Sequence, residues 1–395
     1  MELAVVKEGE VNVLVPAASL RDPYVASVFY NPRMEVSRDI AVCCLRAYRK
    51  LSGRRLRIAE PLTATGVRGI RYAKEVEGVV EVLLGDVNPE AVELARRNAE
   101  LNGVQDVVKV EKLDANLLLS LNAKPGSRLD AVDLDPFGTP MPFVDSALRA
   151  LADGGLLMLT STDAPALCGV YPKVAERHYG GRSLRTEYCH ELAVRLIIGA
   201  LCREAAKHEL AIKPLMAYSL EHHFRVCLLI EVGASKASES VSRLGYVSHC
   251  YACGYRGLSE GLATYLKPRC PRCENKLAHG GPLWCGPLQN REFIEEVLRE
   301  VELSSFRLKK KSLNLLRLLL EEASAPPLYY TLDELSHRLK LREPSLMDIL
   351  QELRLRGFHA TRTHFHPKGF KTDAEIEVVE EVFSRLSQVG SKGEG

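Results

Sequence analysis

No run in the 395 residues approaches the roughly 18 apolar residues of a membrane span. The longest candidate, Leu192 to Cys202, is interrupted by Arg195. Met1 to Ala18 lacks a basic start followed by an apolar core, so no secretory leader is expected. Net charge is scarce too. The 53 Lys and Arg stand against 51 Asp and Glu, so composition does not announce a polyanion partner. Any such partner would have to meet a local patch. There is no internal repeat and no low-complexity tract. What is present is ordinary for a globular chain: 46% hydrophobic and 26% charged residues, at a length for two or three domains. Eleven cysteines, an odd number, then read as free or metal-bound thiols in a reduced, cytoplasmic protein.

The stretch Leu129 to Phe143 organises the chain. Leu129 to Leu134 reads as a buried strand, and Pro136 ends ladder pairing just past it. Asp135-Pro136-Phe137-Gly138 thus places an acid, a rigid turn and an aromatic ring at the carboxyl end of a strand. Open α/β sheets bind their ligands there. The tetrapeptide resembles the catalytic loop of amino-methyltransferases, although an ordinary strand-to-loop turn would read the same.

Leu56 to Ala59 is a short strand that runs through Gly66 and Gly69 into a helix from Ile70 to about Glu77. Strand, glycine turn and helix form the nucleotide-binding βα geometry. The glycines are spaced G-x-x-G and no lysine stands at the Walker position, which argues against a phosphate cradle. A second strand, Val79 to Leu84, leads to Asp86 and a helix from Pro89 to Asn102. An acid about 20 positions after the glycine turn suits a ribose diol. A third strand, Val107 to Val110, leads to Asp114-Ala115, where a carboxylate can accept from an adenine amino group. Asp86 or Asp114 alone reads more readily as a helix N-cap than as a ligand contact. Strands ending in Glu60, Asp86, Asp114 and Asp135, alternating with helices, make a parallel sheet with one crowded carboxyl edge. Leu156 to Thr160 adds a fifth strand, and Pro214 to Leu220 with Phe224 to Val232 a closing hairpin. Glu10 to Val15 reads as a short strand and Ile40 to Leu51 as a helix.

Several motifs in order resemble the tRNA guanine-26 N2,N2-dimethyltransferase family, over Phe29 to about Asp373. They are Phe29-Tyr-Asn-Pro-Arg-Met with Arg38-Asp39, Ala64-Thr-Gly-Val-Arg-Gly-Ile-Arg71, Asp133-Leu-Asp-Pro-Phe-Gly138, Cys168-Gly169 and Ala360-Thr-Arg-Thr-His-Phe365. The resemblance implies a Rossmann-like methyltransferase domain that uses S-adenosylmethionine. It implies that Arg38, Arg68, Asp86, Asp114 and Ala115 hold that cofactor, Arg38 through the methionyl carboxylate and Asp86 through the ribose. Asp135 would be catalytic, with Phe137 and Phe29 stacking on an extruded guanine. A DNA amino-methyltransferase and a non-catalytic nucleic-acid binder are the alternatives.

Further on, Cys250, Cys253, Cys270 and Cys273 are spaced C-x2-C-x16-C-x2-C. Four thiolates at this spacing suit one structural zinc ion, an addition to the family pattern of archaeal-type relatives. His249 is an outside candidate ligand. A helix from Ser304 to Ala323, two short helices (Leu332 to Lys340 and Pro344 to Arg356) and strands around Pro367-Lys-Gly369 suggest a winged-helix module. Lys309, Lys310, Lys311, Arg354, Arg356, Arg362, Lys368 and Lys371 would give it a phosphate-binding face, with the Arg182–Arg185 loop as another route. The expected division is a methyltransferase domain over 1–235 and a tRNA-binding domain over 236–395. The latter contains a zinc-ribbon-like part (245–290) and a winged-helix-like part (304–376), joined to the first domain through the small, polar Ala234 to Ser240 stretch. The expected partner is tRNA, with no membrane and no obligate protein partner.

Overall fold

The computed structural model describes residues 2–389. β1 (Leu3–Glu8) and β2 (Val11–Pro16) pair as a hairpin with Val11, Val13 and Val15 buried. Only the second strand shows in the sequence. α1 (Glu35–Ser52) begins earlier than Ile40, because a 3-10 turn at Pro32–Met34, capped by the Asn31 side chain, feeds directly into it.

The central sheet has seven strands: β3 (Leu56–Glu60), β4 (Val79–Gly85), β5 (Val108–Glu111), β6 (Leu129–Leu134), β7 (Leu151–Ser161), β8 (Leu210–Leu220) and β9 (His223–Val232). Their spatial order is β5-β4-β3-β6-β7-β9-β8. The first five in sequence run parallel, and β9 is antiparallel to both β7 and β8. α2 (Val67–Glu75), α3 (Pro89–Leu101), α4 (Ala115–Leu121) and α5 (Met141–Ala150) make the crossovers. Strand order reverses between β3 and β6, so their carboxyl ends flank a switch-point crevice. α6 (Ala164–Leu167), α7 (Pro172–Tyr179) and the buried α8 (Cys189–Ala206) follow β7.

The Ala234–Ser240 stretch, expected as a linker, is the helix α9 (Ala234–Ser242), seated on β8 by a Ser240 hydroxyl that bonds the Ile212 backbone. β10 (Leu244–His249), β11 (Arg256–Glu260) and β12 (Ala278–Trp284) form a three-stranded sheet in the order β11-β10-β12. The helix expected from Ser304 to Ala323 is α11 (Lys309–Glu322), which starts five residues later, and an unanticipated helix, α10 (Arg291–Leu303), precedes it. Ser304 ends α10, whose Phe293, Ile294, Val297 and Val301 are buried with residues of α1. β13 (Tyr330–Thr331), α12 (Leu332–Leu339), α13 (Leu346–Leu355), β14 (Ala360–Arg362), β15 (Gly369–Thr372) and an unanticipated α14 (Ile376–Val389) complete the described chain. Apolar packing is continuous past residue 235: Leu244, Val247, Leu283, Trp284 and Phe365 share one core with β6, β7 and α8.

Candidate active site and metal centre

A cleft of about 860 Å³ opens at the switch point, walled by the 19–34 loop, the β3–α2 turn, the loop after β6 and the β8–β9 turn. That volume lies in the range of small-molecule sites. The β3–α2 turn carries Ala64 and Gly66 with left-handed backbone (φ +49 and +77). A Cβ on Gly69 would stand 2.3 Å from Leu84 Cδ2 and 2.9 Å from Glu60 Oε2, so only glycine lets α2 lie this close to the sheet.

Asp86 is not a helix cap. Asn88 caps α3, while the Asp86 carboxylate accepts from Ala64 N–H and Asn88 N–H at 2.9 Å each and borders the cleft. Asp114 does cap a helix, α4, accepting from Asn116 and Leu117 N–H. Asp114 is exposed, Ala115 is buried, and neither belongs to the cleft walls. Arg38 lines the cleft with its fork engaged: Nε and Nη2 donate to Glu8 at 2.6 and 2.7 Å. Tyr30 and Arg71 also donate to that carboxylate. Burial opposes ionisation of Glu8, but Arg38 and Arg71 outweigh it and pull the carboxyl down to about 2.

Arg68, 2% exposed, donates from Nη2 to Asp135 Oδ2 at 2.6 Å. Its Nη1 lies 3.6 Å from Asp133. Asp133, fully buried, receives Tyr72 and Arg225. Arg225 also donates to Thr160 Oγ1. Burial pushes the Asp135 carboxyl up, yet Arg68 and Arg225 hold it well below the usual carboxylate range. Burial dominates at Glu60, which rises to about 8 while accepting from Thr63 and Gly69. Burial likewise lowers His223, at the β8–β9 turn, to about 4.

The Asp135–Gly138 loop is tethered to the strand next door: Gly138 N–H donates to Thr162 Oγ1 and Thr162 N–H to Gly138 C=O. Gly138 has φ +70, which completes the turn that projects Phe137 outward, 67% exposed. Phe29 meets Phe137 edge to face with ring centres 4.7 Å apart. Tyr24 stands 5.9 and 6.4 Å from the two rings. The fold thus brings Asp135, Phe137, Phe29, Arg38, Arg68 and Asp86 around one cleft and leaves Asp114 and Ala115 outside it. Glu8, Tyr24, Asp133 and Arg225 were not anticipated. A signal existed for Asp133, which lies two residues before Asp135 on the same strand.

This cleft can offer a flat heterocycle an aromatic surface and present one fixed carboxylate to it. Residues 9–384 match the family described as N2,N2-dimethylguanosine tRNA methyltransferase. The chain belongs to this family. It is 39% identical over 384 residues to the tRNA (guanine(26)-N(2))-dimethyltransferase of Methanothermobacter thermautotrophicus, covering 96% of this chain and 98% of that one. It is 35% identical to the tRNA (guanine(26)-N(2)/guanine(27)-N(2))-dimethyltransferase of Aquifex aeolicus, covering 95% of each. The solved structure of Trm1 from Pyrococcus horikoshii with S-adenosyl-L-methionine superposes with a TM-score of 0.86 at 35% identity, covering 96% of this chain and 99% of that one.

Beyond the cleft, the four cysteines of the C-x2-C pairs converge, with Sγ atoms all within 4.8 Å of one another. Cys250 and Cys273 approach to 3.5 Å, and Cys253 and Cys270 to 3.6 Å. Each pair sits on a tight knuckle closed by the C=O of its first cysteine, which accepts from Gly254 N–H or from Glu274 N–H. Gly254 and Glu274 both have positive φ. Arg272 N–H and Asn275 Nδ2 donate to sulfur. The donor set fits a tetrahedral thiolate site. His249 stands apart from it, buried and bonded through Nδ1 to Tyr188 OH at 2.8 Å.

The basic face of the wing is smaller than expected. Lys371 is buried, paired with Glu191 at 2.9 Å and Glu322 at 3.5 Å, and so cannot meet phosphate. Lys368 pairs with Asp333 and Glu343, and Arg356 with Glu352 and Glu381. The Lys309 ammonium donates to Glu302 and Ser304 carbonyls at the end of α10. Lys310, Lys311, Arg362 and Arg354 remain exposed, Arg354 with its Nε donating to the Ala360 C=O. So do Arg182 and Arg185, with Arg182 3.7 Å from Glu176. Among the described residues no helix is long and apolar enough to cross a membrane.

Proposed function

We propose that this protein transfers methyl groups from S-adenosylmethionine to the exocyclic N2 of guanosine 26 in tRNA, twice, giving N2,N2-dimethylguanosine. The observation that carries this reading is the fixed Asp135 carboxylate, held by Arg68 in the cleft that the Phe29–Phe137 pair also lines, in a family member matched over nearly its whole length. The cleft fits the cofactor: it has the volume, a glycine turn, and in Asp86 a half-exposed carboxylate for the ribose diol. Arg38 and Arg68 border the same space, and by resemblance Asp114 and Ala115 would serve the adenine from the adjoining strand end. Bound there, S-adenosylmethionine supplies a methyl group on a sulfonium that needs no further activation.

The chain supplies position and proton transfer. An aromatic amine is a weak nucleophile because its lone pair is shared with the ring. Asp135, accepting from the amine, draws that lone pair out of conjugation and takes the proton as the new bond forms. Phe29 and Phe137 hold the base out of its stack, offsetting an unstacking cost of about a few kcal/mol. Monomethylguanine retains one N–H, so the same geometry serves the second transfer. The four-cysteine centre holds one structural zinc ion, and the exposed cations of the C-terminal half meet tRNA phosphates. A cytoplasmic setting agrees with the free thiols.

Mass analysis of nucleosides from tRNA treated with the protein and labelled cofactor tests the reading. Dimethylguanosine at position 26 is expected. Mapping the methylated position distinguishes 26 from 27, and methyl transfer to duplex DNA instead of tRNA would overturn the assignment.

A further inference from the structure

Eleven cysteines exceed the needs of one four-thiol centre. Of the seven others, Cys43, Cys44, Cys202, Cys227 and Cys285 are buried, whereas Cys168 and Cys189 are half-buried. Cys168 ends α6 and Cys189 opens α8, with His190 next in the chain. The two Sγ atoms and a ring nitrogen of His190 all lie within 4.8 Å of one another. No neighbour sequesters that imidazole. Among the described residues neither ring nitrogen is hydrogen-bonded, and the ring rests against Phe224 with centres 6.1 Å apart. Two soft thiol donors, one convergent imidazole free to ligate, and access from solvent together describe a metal site.

We propose that Cys168, Cys189 and His190 form a second metal site, for a thiolate-seeking divalent ion of the zinc class with one coordination position left to water. Two sulfurs and one nitrogen are the donors such ions select over magnesium or calcium. The first turn of α8, an 18-residue helix, favours negative charge at Cys189. The site would fasten two parts of the fold. Cys168 follows the segment whose Thr162 tethers Gly138 of the catalytic loop. Cys189 and His190 adjoin Glu191, which receives Lys371 from the wing. A metal there would lock the support of the catalytic loop to the helix that anchors the C-terminal module.

The test is metal content of the full-length protein, purified without chelator after growth with zinc, for wild type, Cys168→Ser, His190→Gln and Cys253→Ser. The wild type should carry a second zinc ion beyond the four-cysteine centre. Cys168→Ser should lose that ion alone, and cobalt(II) loading should show a weaker thiolate charge-transfer band. His190→Gln keeps both thiols and guards against a folding failure. Its second-site zinc affinity should fall by more than the roughly 10-fold that even an outer-shell change costs. A single zinc ion that survives in Cys168→Ser and His190→Gln but leaves in Cys253→Ser overturns the second site while leaving the four-cysteine centre standing. A Cys168–Cys189 disulfide in protein purified under reducing buffer would also overturn it.

Discussion

The cleft and the wing are both rich in charge, and they use it in opposite ways. In the cleft Arg38 and Arg68 are buried, at 5% and 2% exposed, and each carries a short bond to an acid. On the wing most ion pairs are at the surface, such as Lys368 with Asp333 and Glu343. Exposed pairs contribute only about 0–1 kcal/mol each. Buried pairs contribute little net stability over an apolar core, but breaking one leaves a stranded charge that costs about 3–5 kcal/mol. Charge in the cleft therefore fixes protonation and geometry, whereas the paired surface charge of the wing adds little to stability.

The strongest way to break this comparison is Asp135→Asn, which keeps the shape of the side chain and removes its charge. Turnover should fall by about 10²–10⁴-fold, the usual cost of losing a general base. Calorimetry should show cofactor binding nearly intact, because Asp86 and Arg38 are held by bonds that do not involve Asp135. Near-wild-type turnover would sink the catalytic role of Asp135.

Glu8→Gln tests the buried network away from the chemistry. It leaves Arg38 without its carboxylate, while Arg71 keeps Glu75 and Asp39, and should lower stability by about 3–5 kcal/mol, read from denaturant unfolding. Because the folded pKa of Glu8, about 2, lies below its ordinary 4.5, its contribution is complete above pH 4.5 and is lost as pH falls toward 2. The variant should therefore show a flatter loss of stability over that window. Glu60 has the opposite sign: its folded pKa is raised to about 8, so its contribution is complete below pH 4.5 and is lost as pH rises through 8.

Cys253→Ser sharpens the boundary between the regions. Zinc should leave the four-cysteine centre, and hydrogen exchange should quicken over β10 and β11 while the parallel strands keep their protection, because metal binding couples locally to folding. Protection lost equally in β3 to β6 would show that the centre holds the whole chain together.

The smallest effect belongs to the exposed cations. Replacing Lys310, Lys311 and Arg362 together by Gln should weaken tRNA binding and lower the salt slope by about 1 for each phosphate no longer neutralised. Cofactor affinity should not move. Unchanged affinity and slope would redirect the tRNA path toward Arg182 and Arg185.

Sequence alone determined what depends on local spacing. Apolar runs closed by Asp86 and by Asp135-Pro136 placed those acids at strand ends, and period and turn chemistry require no distant partner. The C-x2-C pairs were legible for the same reason, since each knuckle is a local turn. Only the tertiary structure decided which charges are spoken for. Glu8 reaches Arg38 across 30 positions, and Arg225 reaches Asp133 across 92. Lys371 reads in sequence as one more surface cation, yet it is buried against Glu191 and Glu322. The same holds for the expected domain boundary that became α9, the unanticipated α10 packed against α1, and the meeting of Cys168 with Cys189 and His190. A side chain's partner is set by which strands and helices become neighbours, and that order is a property of the packed sheet, not of any window along the chain.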